Sequence, residues 1–205
     1  MVAYQGLILD FAGVLTSGTG TSQRAWCVSQ GLPPNSWRHA LVEHPEGREW
    51  YGALESGRMS QTEWNLRTSQ LLGLDDGTNL MGLVWAHVTP AQEMIDLARS
   101  ARSAGMTVAM LSNSFGLDPY DPYDHMGVWD LFDVAVISER EGIAKPDPQI
   151  YELVLARMGL PPTACVFVDD APANLPPAAA LGITTLHAAE SDNTVRQLAR
   201  LLAIS

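Results

Sequence analysis

The chain predicts an α/β fold: a three-layer, Rossmann-like sandwich on a parallel sheet, with an α-helical cap inserted after the first strand. Three observations carry this. From residue 90 onward short apolar runs alternate with amphipathic segments, the pattern of a parallel sheet covered by helices on its faces. Between residues 17 and 88 apolar positions recur at helical spacing and nothing resembles a central strand. The apolar runs end in chemistry-bearing residues: Asp10 closes the first, and Ser112, Lys145 and the pair Asp169-Asp170 follow three later ones. Ligands of open α/β sheets sit outside the carboxyl ends of the strands, where these residues would lie.

Taken in order, Leu7 to Leu9 is the first strand, and Asp10 opens the turn Phe11-Ala12-Gly13-Val14-Leu15-Thr16. Helices follow near 21–30, 35–43, 47–56, 60–72 and 78–87. Five of the six tryptophans fall in this stretch (Trp26, Trp37, Trp50, Trp64 and Trp85), as a small bundle needing large side chains for its core would require; one or two would line a pocket facing the sheet. Pro90 opens a helix through Leu97 and Ala101 that Gly105 ends. Strands are predicted at Thr107 to Leu111, Val134 to Ile137, Cys165 to Val168 and Ile183 to Leu186. Between them, Pro148 to Met158 is amphipathic, Asn174 to Leu181 is a helix stopped by Gly182, and a terminal helix runs near Thr194 to Ile204. The core domain is thus 1–16 with 89–205 and the cap 17–88, with hinges near Thr16 to Gly20 and Val88 to Pro90. No internal repeat or low-complexity tract interrupts this order.

A chain of 205 residues, 46% hydrophobic, suffices for one packed domain with a substantial insertion. Its formal charge of −11, with twelve basic residues spread thinly, argues against nucleic-acid and anionic-membrane partners, which require clustered Lys and Arg. No apolar stretch approaches the roughly 20 residues of a membrane span, and no basic segment precedes the short amino-terminal apolar run, which ends at Asp10, so a secretory signal is not expected. Cys27 and Cys165 match no metal or disulfide spacing and are expected as buried thiols of a cytoplasmic protein. A monomer or a homodimer is compatible with this surface.

Four segments, in this order, resemble the motifs of the haloacid dehalogenase superfamily. They are Leu7 to Thr16, Met110-Leu111-Ser112-Asn113-Ser114, Ala144-Lys145-Pro146-Asp147 with the residues to Tyr151, and Val166 to Leu175 with Asp169-Asp170 inside it. The resemblance covers essentially the whole chain. It is strongest to the phosphatase-like branch with a small helical cap, similar to the amino-terminal phosphatase domain of soluble epoxide hydrolase. It implies that Asp10 is a nucleophile forming an aspartyl-phosphate, and that Mg2+ is held by Asp10, Asp170 and the backbone carbonyl of Ala12. It also implies that Lys145, the chain's one lysine, offsets phosphate charge, that Asp169 orients Lys145 or a metal-bound water, and that Ser112 and Asn113 hold phosphoryl oxygens. Asn174 would support the metal site, and the substrate would be a small phosphorylated metabolite.

The sequence departs from that pattern at Ala12. Phosphatases of the superfamily commonly carry a second aspartate there, which protonates the leaving oxygen and later activates water. General acid-base help of this kind contributes about 100- to 10,000-fold, roughly 3 to 5.5 kcal/mol. Four readings follow: a phosphatase whose acid comes from the cap, the substrate or water; a degenerate, non-catalytic protein that binds a phosphorylated ligand or a protein partner; a 2-haloacid dehalogenase, which needs no metal and would leave Asp169-Asp170 unexplained; and a phosphonatase-like enzyme, for which no cap lysine is left. Elsewhere, Asp118, Asp121 and Asp124 read as a solvated loop and Asp75-Asp76-Gly77 as a turn. The histidines His39, His44, His87, His125 and His187 show no ligand spacing, and His39 and His44 are the two expected to face the site from the cap.

Overall fold

The structure is a computed structural model, and it describes residues 4–189 and 191–204. Strand β1 (Gly6–Leu9) is buried along its whole length and delivers the chain into the turn that begins at Asp10. A two-residue strand β2 (Thr16–Ser17) leads out to α1 (Thr19–Ser29), α2 (Ser36–Arg38) with a π-helical turn at His39–Glu43, α3 (Pro45–Glu55), α4 (Gln61–Leu71) and α5 (Leu80–Trp85). The chain returns through β3 (Thr89–Pro90), antiparallel to β2 with Thr16 opposite Pro90. Pro90 therefore belongs to this ribbon and does not open a helix, because Ala91 N–H is held 2.9 Å from the Leu15 carbonyl; α6 (Gln92–Ser103) starts two residues later. The helix expected over 35–43 forms as α2 and the π-helical turn and ends at Glu43, ahead of the helix expected over 47–56. Pro45 disfavours helical backbone at His44, which is extended and caps α3 by accepting the Gly47 N–H.

The remainder alternates: β4 (Thr107–Ser112), a short α7 (Pro122–His125), β5 (Val134–Ile137), α8 (Ser138–Glu141), α9 (Pro148–Met158), β6 (Cys165–Asp169), α10 (Leu175–Ala180), β7 (Thr184–His187) and α11 (Ser191–Leu202). The five long strands form one parallel sheet in the order β5-β4-β1-β6-β7, with Leu9 registered against Met110 on one side and Val168 on the other. Strand residues alternate between two packed layers. Leu7, Leu9, Val108, Met110, Val166 and Val168 share a core with Ile95 and Ala98 of α6 and Leu198 of α11. Ile8, Ala109, Leu111, Val136 and Phe167 pack on Ile150 and Val154 of α9 and Ala178 of α10. Burial on both faces is why these strands are continuous apolar runs.

The first of these cores continues beyond the sheet into the helical segment through Phe11, Leu15, Trp26, Trp37, Trp64 and Trp85. Trp37 packs edge-on against both Trp26 and Trp64, each at 5.6 Å, while Trp85 stacks on Phe11 at 5.9 Å. The sheet grows one way from β1 through β4 and β5 and the other way through β6 and β7. This places the topological switch, and its crevice, at the exits of β1, β4 and β6. Among the described residues no helix is long and apolar enough to cross a membrane.

Candidate active site

At the exit of β1 the Asp10 N–H still bonds the Val168 carbonyl at 2.9 Å, so the backbone stays in the sheet. The Asp10 side chain meets Lys145, whose Nζ lies 2.7 Å from Asp10 Oδ1 and 2.7 Å from Asp169 Oδ2. Lys145 comes from the loop before α9, and Asn113 fixes its backbone at both ends. Asn113 Oδ1 accepts the Lys145 N–H at 2.8 Å and its Nδ2 donates to the Lys145 carbonyl at 2.9 Å. Asp169, fully buried, also accepts the Ala171 N–H at 2.8 Å and both of its oxygens take Asn174 Nδ2 at 3.0 Å. The Asn174 carbonyl in turn receives the Tyr151 hydroxyl. Ser112 is buried at the end of β4, and its oxygen accepts the Tyr123 hydroxyl at 2.9 Å, which leaves the serine's own proton for another acceptor.

Asp10, Asp169 and Asp170 offer carboxylate oxygens that all lie within 4.8 Å of one another. Three carboxylates around one ammonium leave the crevice short of positive charge. Burial pushes the Asp10 carboxyl up; Lys145 pulls it down, and Asp169 and Asp170 push it up again. For Lys145 burial alone would lower the ammonium, yet Asp10 and Asp169 outweigh it and hold it above its usual range. Asp170 is raised by burial and by Asp169. The backbone makes room for this cluster at Gly13, whose φ is +76°; a Cβ there would stand 2.5 Å from Asp170 Oδ2. A divalent cation suits such a set of hard oxygen donors, and these residues fit one.

A cavity of about 310 Å³ opens over this crevice. Asp10, Ala12, Asn113, Lys145, Ala171 and Asn174 line its sheet side. The helical segment supplies the opposite wall with Gln23, Trp37, Tyr51, Glu55, Met81 and Trp85, two of them tryptophans. Burial keeps the Tyr51 hydroxyl protonated by raising it far above its usual range. Burial also pushes Glu55 up to about 7, with Lys145 pulling the other way and Asp10 adding to the rise. Tyr51, Glu55 and Tyr123 carry no motif in the sequence and were not singled out there.

His39 and His44 are a correction. They do not face this cavity but line a separate one of about 760 Å³ with Leu32, Arg38 and Glu43, and His39 Nδ1 lies 3.0 Å from Glu43 Oε2. His44 is occupied in capping α3, which turns its ring away from the crevice. The loop with Asp118, Asp121 and Asp124 is more ordered than solvation requires: Asp121 accepts the Tyr123 and Asp124 N–H groups and the Trp129 indole, which sets Tyr123 beneath Ser112.

Residues 4–182 match the family model of haloacid dehalogenase-like hydrolases. The chain belongs to this family. Among its relatives, the haloacid dehalogenase-like chain is 28% identical to acyl-CoA dehydrogenase family member 10 of Mus musculus over 98% of its own length and 19% of that protein's. It is 34% identical to a sesquiterpene phosphatase of Aspergillus oryzae over 55% of this chain and 58% of the relative, so it spans less than two thirds of both. An (S)-2-haloacid dehalogenase of Pseudomonas fluorescens is 27% identical over 80% of this chain and 75% of that one. In fold, the haloacid dehalogenase-like core matches a family enzyme of Bacteroides thetaiotaomicron solved with magnesium and inorganic phosphate, at a TM-score of 0.65, 22% identity and coverage of 90% and 93% of the two chains.

Proposed function

We propose that this hydrolase is a magnesium-dependent phosphatase of a small phosphorylated metabolite, acting through an aspartyl-phosphate on Asp10. The observation that carries the reading is the charge balance of the crevice: Asp10, Asp169 and Asp170 face a single ammonium beside a cavity large enough for a small molecule. The relative named a sesquiterpene phosphatase and the magnesium and phosphate complex of the structural neighbour lend support. A dehalogenase would give Asp170 and its Gly13 cradle no task.

Magnesium, held by Asp10, Asp170 and the Ala12 carbonyl, would supply the positive charge that lets a dianionic phosphoryl group approach a carboxylate. The chain's own residues do the rest. Lys145 holds one Asp10 oxygen at 2.7 Å, fixing the carboxylate's orientation and opposing the burial that would protonate it. Asp169 fixes Lys145, and Asn174 and the Ala171 N–H fix Asp169. The Ser112 hydroxyl and the unused Asn113 N–H donate to phosphoryl oxygens, with Tyr123 and the Lys145 backbone as their rigid supports. The cap covers the phosphate and excludes water, moving about the β2–β3 ribbon.

The test is hydrolysis of an activated aryl phosphate by wild type and Asp10→Asn, each with magnesium and with chelator. Turnover that requires magnesium and vanishes in the variant is expected. Turnover that survives Asp10→Asn, or its absence from folded wild-type protein across a panel of phosphate esters, overturns the reading. Metal-independent chloride release from a 2-chloro acid would replace it with a dehalogenase.

A further inference from the structure

We infer that Glu55, on the cap wall of the cavity, is the general acid and base that Ala12 does not supply. The assignment rests on the phosphatase reading. In an in-line displacement the leaving oxygen departs from the face of phosphorus opposite Asp10, away from the sheet and toward the cap. On the cap side of the cavity the titratable residues are Tyr51 and Glu55. Tyr51 is held firmly protonated by burial, which suits a fixed hydrogen-bond donor and not a group that must give up and regain a proton in each cycle.

Glu55 has the properties the task needs. Its charge is felt by both Lys145 and Asp10. Among the described residues its carboxyl has no hydrogen-bond or ion-pair partner, so nothing in the fold occupies the group, although it is mostly buried. A mostly buried carboxyl without a structural partner is costly unless it works on a ligand. Its position is nevertheless fixed to the core. The Ser138 hydroxyl donates to the Glu55 carbonyl at 2.5 Å, and two residues on, Gly57 (φ +67°) approaches the Glu139 carbonyl so closely that a Cβ would stand 2.2 Å from the oxygen. The cap is thus pinned to α8 at the point where it presents this carboxyl. A protonation range near neutrality, as burial gives Glu55, matches acid and base roles in turn.

In the first step an Asp10 oxygen forms a bond to phosphorus, the bond from phosphorus to the ester oxygen breaks, and that oxygen takes the Glu55 proton and leaves as an alcohol. In the second, the Glu55 carboxylate takes a proton from water as its oxygen attacks phosphorus. The bond to Asp10 breaks with its electron pair returning to Asp10, phosphate departs, and both carboxyl groups are restored.

Wild type, Glu55→Gln and the Asp10→Asn control are compared with magnesium on an activated aryl phosphate and on an unactivated alkyl phosphate. Glu55→Gln should lose about 100- to 10,000-fold on the alkyl ester. On the aryl ester, whose leaving group needs no proton, it should release a burst of one phenolate per site and then slow, because the aspartyl-phosphate accumulates. In Glu55→Ala, formate should restore part of the alkyl-ester rate. Rates of Glu55→Gln equal to wild type on both esters, with Asp10→Asn inactive, overturn the role of Glu55 alone. So does a folded Glu55→Gln that loses the burst as well as turnover, or a folded Glu55→Ala that formate does not rescue. Turnover absent from wild type or surviving in Asp10→Asn removes the phosphatase reading and this role together.

Discussion

Lys145 shows how a single residue's value is set by its partners. Replacing it with Met leaves Asp10 and Asp169 buried without their counter-charge. In chelator at neutral pH, urea unfolding of Lys145→Met should show a loss of about 3–5 kcal/mol, shrinking as the pH falls and Asp10, whose carboxyl burial already pushes up, protonates. Gly13→Ala probes the cation cradle: its φ of +76° and the 2.5 Å approach to Asp170 predict weakened magnesium binding, read as a loss of magnesium-induced thermal stabilisation. Glu55 makes a pH prediction. Its carboxyl, raised from 4.5 to about 7 by burial, binds its proton more tightly in the folded state than in the unfolded chain. The stability it contributes is complete below about pH 4.5 and is lost as pH rises through about 7. Glu55→Gln has no such loss, so in chelator its stability relative to wild type should rise by on the order of 2–3 kcal/mol between those limits. Asp10, Lys145 and Asp169 were legible because each ends an apolar run or follows one in a recognisable motif. Glu55 and Tyr123 were not, since what marks them is contact across the fold: Tyr123 through Ser112, Glu55 through a cavity shared with Asp10.

At the scale of elements, α4 begins with the side chain that ties the helical segment to the core. Gln61 Nε2 donates to the Phe115 carbonyl at 2.9 Å and the Tyr120 carbonyl at 3.0 Å, and Oε1 accepts the Tyr120 N–H at 2.9 Å. Gln61→Ala strands these buried backbone groups and should destabilise the protein by about 2–3 kcal/mol, with faster amide exchange concentrated in residues 113–122. Both the Glu55 carbonyl contact and this clamp must loosen if the segment swings on its ribbon, so any opening is costlier than two flexible linkers would imply. The five sheet strands and the helices α6, α9 and α11 were legible because their apolar periodicity coincides with burial. The β2–β3 ribbon was hidden because two-residue strands have no period to read.

For the whole molecule, the charge of −11 sets how an anion arrives. Long-range repulsion opposes a dianionic substrate, while Lys145 acts only within the crevice. Raising ionic strength from about 10 mM to about 150 mM should therefore increase kcat/KM for a phosphate ester, the reverse of an enzyme with a basic funnel. The same composition leaves the chain with one side-chain amine. Lys145 is the one lysine, and its side chain is 1% exposed. An acylating reagent thus meets no lysine on the folded surface, and the rate at which it labels this ε-amine is a clock for the crevice, reporting each excursion that parts Lys145 from Asp10 and Asp169. A covalent tag on that atom, told apart from the α-amino group by peptide mapping, would then count openings of the molecule, with no need of a substrate.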